Sequence, residues 1–150
     1  VEPDNSLFWG EATALVNGEN WVASPTGEKK LNEDGSLQAA LDFFSYNDEG
    51  FLREQIWIII DDIRKVGKQD LKSSVILWGG HGDELIGAYT PIENSSNFVE
   101  VTDYDETTKE IIGNFGGVYI VDSTSIQLLQ IPHSDTVRIT DGHFHTKIVN

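Results

Sequence analysis

The sequence predicts an all-β protein: an antiparallel β-sandwich of about ten short strands, with a closed or flattened, lipocalin-like β-barrel as the alternative. Three observations predict it. Turn residues separate β-branched and aromatic runs at a spacing of roughly 8–12 residues. Asn17-Gly18 stands between two strand-like runs, the pattern of a two-residue hairpin. The stretch Val137–Ile148 reads as one long closing strand with a single interruption. Strands do not alternate with helical segments, which argues against a doubly wound α/β fold.

Composition bounds the answer further. The 150 residues match one ordinary domain, and 39% hydrophobic content supports a core. Cys and Met are both absent, which excludes a disulfide framework, a thiol nucleophile and a thiolate metal site. No run approaches the roughly 20 apolar residues of a membrane-spanning helix. Lys and Arg number 10 and Asp and Glu 25, a formal charge of −15. Such a chain repels nucleic acid and anionic lipid surfaces. The plain consequence is solubility, and the sharper one is affinity for cations.

In chain order, residues 1–6 are polar and read as a flexible N-terminal tether, leaving 7–150 as a single β domain. Ala12–Ala23 is the hairpin, and a type I′ turn at Asn17-Gly18 pairs Val16 with Glu19 and Ala14 with Trp21. The small residue lets the indole lie across the strand, which places Trp21 in the core. Ser24–Gly35, rich in Pro, Gly, Lys and Glu, reads as a loop. Leu37–Tyr46 is a strand and Asn47–Gly50 a turn. In Phe51–Lys68 the positions Leu52, Ile56, Ile59 or Ile60, and Ile63 fit helical spacing. The β-branched and aromatic run Ile56–Ile60 suits a buried strand better, and strand is the reading taken, with Trp57 in the core. Ser74–Trp78 and Leu85–Thr90 are short strands around the glycine-rich loop Gly79–Asp83. Glu93–Ser96 is a loop. Phe98–Tyr104 alternates, with Val99 and Val101 on one face. Asp105–Thr108 turns the chain into Ile111–Val121, a strand broken at Gly116-Gly117. Ser125–Ile131 is a short strand or sheet edge.

The closing strand carries the most detailed expectation. Val137 and Ile139 share one parity, and Phe144 and Ile148 the other. Strand side chains alternate faces, so one extra residue is needed to bury all four together. A β-bulge at Asp141-Gly142 supplies it, with Gly accepting the positive φ. Arg138, Thr140, His143, His145 and Lys147 then line the opposite, wetter face.

Three of these stretches resemble the uncharacterised lipoprotein domains of Bacteroidota, in the style of the DUF6252 and DUF5025 groups. They are Ala12–Trp21, then Val99–Asp105 leading through Lys109 to Ile112–Phe115, and finally Val137–Phe144. The matches touch both ends of the chain and its last third. The resemblance implies export, a lipidated Cys just upstream of Val1, and tethering at the cell envelope, with the membrane met only through that anchor. It implies no catalytic residues.

Candidate chemistry is sparse. His143 and His145, two apart on one strand, project from the same face and could share a metal, with His133, His81 or a carboxylate completing the shell. The plain reading is a solvated face. Asp103, Asp105 and Glu106 offer oxygens to calcium, although the spacing is not an EF-hand loop; the plain reading is a polar turn. No other cofactor is indicated. Trp9 and Trp78, beside polar or glycine-rich turns, are the aromatic candidates for a sugar platform, with His81 as a neighbouring ligand contact. Ser123, Ser125, His133 and Asp135 are present, but no G-x-S-x-G elbow is, and no glycosidase pair can be chosen among 25 acids. The expectation is a monomeric, non-enzymatic cell-envelope lipoprotein domain used for binding or interaction, its molecular function unassigned, with a glycan or an envelope protein as candidate partners. A calcium-assisted carbohydrate-binding module and, less favoured, a hydrolase are the alternatives.

Overall fold

The computed structural model describes residues 9–46, 48–71, 74–79, 85–92, 97–122 and 134–149. The expected tether at 1–6, Asn47, the loops at 80–83 and 93–96, and the strand expected at 125–131 lie outside the described residues. Strands β1 (Glu11–Val16) and β2 (Glu19–Leu31) form the hairpin in the expected register, Val16 opposite Glu19 and Ala14 opposite Trp21. Asn17 and Gly18 both take positive φ, 50° and 81°, as a type I′ turn demands.

The remaining strands are β3 (Leu37–Tyr46), β4 (Leu52–Ile60), β5 (Gly67–Asp70), β6 (Ser74–Gly79), β7 (Leu85–Pro91), β8 (Phe98–Tyr104), β9 (Glu110–Val121) and β10 (Thr136–Lys147). All pair antiparallel, and the described residues contain no helix. Of the two architectures the sequence leaves open, the chain takes the closed barrel. The order β10-β1-β2-β3-β4-β6-β7-β9 returns to β10 through the β9–β10 pairing, an eight-stranded ring. Strands β8 and β5 stand outside it, β8 on β9 and β5 on β8. Closure removes sheet edges that would otherwise be open to another chain.

Two expectations are corrected. Of the loop expected at Ser24–Gly35 only Asn32–Gly35 is a turn, because β2 continues to Leu31 and pairs with β3 from Ser24↔Phe44 to Leu31↔Leu37. Pro25 is tolerated since the pairing with β1 ends at Ala23 and that edge is next bonded only at Gly27, by Val149, and Pro suits a gap in the ladder. Gly27 sits there in close packing: a Cβ would meet the side-chain ends of Ile148 and Leu41 at 2.7 and 3.0 Å. The second correction concerns Trp57. Ile56, Ile58 and Ile60 are buried, whereas Trp57 faces outward and is half-buried between its pairing partners Asp42 and Val75. A barrel interior accepts only one parity of a strand. The strand reading of Phe51–Lys68 holds for Leu52–Ile60, after which residues 61–66 turn the chain into β5.

The break foreseen at Gly116-Gly117 is a change of partners. The first half of β9 pairs with β8, up to Phe98↔Gly116, and its end pairs with β7, from Pro91↔Tyr119. Asn97 fills the gap between those partners, its Oδ1 accepting from Val118 N at 2.6 Å and its Nδ2 donating to Val118 O at 3.3 Å.

Phe43, Phe115 and Phe144 pack at the centre, with ring centroids 5.2–6.4 Å apart. Val137, Ile139, Phe144 and Ile148 are all buried, so the bulge does what the parity argument requires. It is Asp141 that takes the positive φ, 51°. Gly142 is needed instead for close approach, since a Cβ would run into the backbone carbonyl of Phe115.

Asp42, on the outer face of β3, illustrates the cost of half-burial. Desolvation raises its carboxyl above the ordinary value, Gln55 Nε2 at 2.7 Å partly offsets this, and Glu28 adds to the rise. A raised folded-state value means the group favours the native state below the unfolded carboxylate value, about 3.9, and loses that contribution as pH rises through the folded value. Asp42→Asn therefore raises the Tm at pH 7, and the gap closes as pH falls below about 4. Thermal unfolding across pH 3–7 checks this.

Candidate functional site

The outer face of β5, β8, β9 and β10 carries a connected polar row. The strand registers place Lys68 opposite Glu100, Glu100 opposite Asn114, Asn114 opposite His143, and His143 opposite Thr13 of β1. Directly opposed side chains in neighbouring strands interact, and here they form a chain. Asn114 Nδ2 donates to Glu100 Oε1 at 3.2 Å, and His143 Nδ1 meets Asn114 Oδ1 at 3.2 Å. A carboxylate only accepts, so the amide must offer Glu100 its NH₂. Its oxygen then faces the imidazole, and Nδ1 of neutral His143 carries the proton. That leaves Nε2 as an acceptor with no partner assigned inside the row.

Phe98 lies beside the row, seated over Gly116, where a Cβ would stand 3.1 Å from the ring. Lys68 Nζ sits 4.6 Å from the Phe98 centroid, a cation–π contact. Lys68, Phe98, Glu100, Asn114, Asp141 and His143, with the backbone around Phe115 and Gly142, enclose an open groove of about 450 Å³. That volume lies in the range of small-molecule sites.

His145 faces the same way as His143, as the parity of the closing strand predicts. It belongs to a second cluster. Its Nε2 meets Glu110 Oε1 at 2.9 Å, and this contact, ahead of one to Thr108, holds the Glu110 carboxyl below its ordinary value. Trp9 stands edge-on to His145 with centroids 5.1 Å apart, and Lys147 Nζ lies 4.7 Å over the indole. Trp9 O accepts from Thr146 Oγ1 at 2.7 Å. Trp9 as a residue remains 40% exposed.

The two histidines thus bind different partners, and among the described residues no three His, Asp or Glu side chains converge on one point. The acidic turn does not gather its oxygens either. Asp105 Oδ1 accepts from the backbone N–H groups of Thr107 and Thr108 at 2.8 and 3.2 Å. Glu106 turns to Arg64, 3.4 Å away, and Asp103 is exposed on β8 opposite Ile112. This is the side-chain-to-backbone turn chemistry for which Asp is favoured.

Trp78 corrects an expectation. It is 1% exposed and lies inside the barrel, 5.1 Å from the Tyr89 ring. It shares parity with Ser74 and Ile76, and its partner Gly87 has no Cβ to block the indole. The glycine that makes room for the ring is Gly87 on the paired strand, not the Gly79-Gly80 beside Trp78 in sequence. His81, the rest of the 80–83 loop, Ser123, Ser125 and His133 lie outside the described residues. Asp135 is exposed, and its backbone carbonyl accepts from Val121 N at 2.8 Å. Sequence reasoning missed Lys68, Phe98, Glu100 and Asn114. The alternation of Val99 and Val101 already assigned Phe98 and Glu100 to the opposite face, and this was the available signal.

No protein-family model, curated protein or solved structure matches the chain.

Proposed function

We propose that the barrel is a non-enzymatic binding domain whose ligand, a neutral hydroxyl-rich glycan, lies on the outer face of β5, β8, β9 and β10. One observation carries the reading: the hydrogen-bonded row Glu100–Asn114–His143, with Lys68 and Phe98, in an open groove of about 450 Å³. Sugar hydroxyls both donate and accept. His143 Nε2 and the Glu100 carboxylate accept, and Lys68 Nζ, held over the Phe98 ring, donates. The side chains are fixed by one another before any ligand arrives, which lowers the entropic cost of binding.

Charge favours a neutral ligand. Lys68 and Glu100 are opposed across the sheet, while the whole chain at −15 disfavours nucleic acid and other polyanions. The absence of catalysis is part of the proposal, since the assigned contact of His143 is an amide rather than a nucleophile. An exported, lipid-anchored setting and a monomeric state belong to it as well, the former through the sequence resemblance. Calcium has no part in this reading.

The test is calorimetric titration with neutral oligosaccharides, nucleotides and short peptides. A neutral glycan binds, and His143→Ala and Glu100→Gln each weaken it by roughly tenfold, the scale of leaving one polar partner unsatisfied. Binding by none of the glycans, or equal binding to both variants, overturns the assignment.

A further inference from the structure

The groove and the Trp9 cluster share one continuous outer face, and the same device bounds both. At one corner Phe98 carries Lys68 at 4.6 Å, and at the other Trp9 carries Lys147 at 4.7 Å. Between them lie Glu100, Asn114 and His143, then His145 with Glu110. From Phe98, opposite Gly116, to His145, opposite Ile112, the path crosses two strand spacings and runs four residues along β9. That is about 10 Å across and about 13 Å along. Trp9 adds 5.1 Å beyond His145.

Trp9 is also held in place. Its carbonyl is tied to Thr146 Oγ1 at 2.7 Å, and Gly10 presses so closely on the carbonyl of His145 that no Cβ fits. With His145 at its edge and Lys147 over its ring, the indole of a 40% exposed residue has been fixed rather than left to fray. An exposed aromatic that is pre-organised is the kind of group on which binding energy concentrates.

We infer that the ligand is an extended oligosaccharide laid diagonally across this face, with Phe98 and Trp9 as its terminal aromatic subsites. The span of roughly 15–20 Å holds roughly three or four linked pyranose rings. The inference rests on the groove reading and adds to it the length and direction of the ligand. At each end the sugar meets an aromatic ring together with the lysine over it, and the polar row takes hydroxyls of those between.

The test uses length series of cello-, malto-, manno- and N-acetylglucosamine oligosaccharides, from one to six units, titrated into the whole chain and into Trp9→Ala, Trp9→Phe and Phe98→Ala. Thermal unfolding shows that each variant is folded. Affinity for the preferred series rises up to roughly four units and then levels. Trp9→Ala removes the gain of the longer members, about tenfold, while Trp9→Phe keeps most of the gain. Short sugars that bind with no dependence on length, or a length profile untouched by Trp9→Ala, overturn the extended ligand and leave the groove reading standing. No binding by any member of any series overturns both.

Discussion

Gly142→Val yields little or no folded protein, and any soluble fraction unfolds at a denaturant concentration consistent with a loss of more than about 4 kcal/mol. The reason is steric. Gly142 is buried in the bulge of β10, and the atom a Cβ would strike is the backbone carbonyl of Phe115 on β9. That carbonyl cannot swing aside, because β9 is held by β10 on one flank and by β8 on the other. The β9–β10 pairing also closes the ring. Asp141→Asn, one residue earlier, folds normally, since Asn tolerates the φ of 51° at that position. Solubility and urea unfolding of the two variants separate a steric requirement at 142 from a general sensitivity of the bulge.

Phe144→Ala costs about 3–5 kcal/mol, which for a chain of this size lowers the Tm by roughly 6–20 °C. Phe144 is fully buried. Its cross-strand partners are Ala12 on β1 and Gly113 on β9, two residues too small to close a void. A Cβ at Gly113 would itself meet the Phe144 ring at 2.5 Å. The cavity therefore keeps most of its volume, and the loss falls toward the top of the range. Phe144→Leu, which refills part of the space, shows a clearly smaller loss in the same denaturant titration.

These two positions also show what the sequence makes legible. The mismatch of parity between Ile139 and Phe144 demands a bulge whatever the rest of the chain does, and β10 contains it. Asn17-Gly18 fixes its own register through local dihedrals alone. Local composition misleads where tertiary pairing overrides it. Pro25 and Gly27 look like loop residues, yet they sit in a strand whose far edge meets only the C-terminal residues. Trp57 lies in a run apolar at every position, and only the curvature of a closed barrel decides which parity turns inward. Trp78 follows the same logic in reverse.

The candidate site divides in the same way. That His143 and His145 share a face follows from spacing on one strand. That they serve different clusters does not, because Asn114 and Glu110 belong to β9, whose register against β10 depends on the bulge. Lys68 and Glu100 meet only because β5 docks on β8 outside the barrel, a pairing between segments about thirty residues apart. No local pattern in either segment announces it.

The central claim is that Glu100, Asn114 and His143 form one oriented chain ending in an acceptor nitrogen at the groove. Long-range proton–nitrogen correlation NMR of the His143 ring, at a pH where the ring is neutral, tests it most directly. The account predicts the Nδ1–H tautomer with a bare Nε2 in the free protein, and a shift of the Nε2 resonance on adding the preferred glycan. A ring protonated at Nε2 in the free protein, or ring nitrogens unmoved by a glycan that binds, would contradict it.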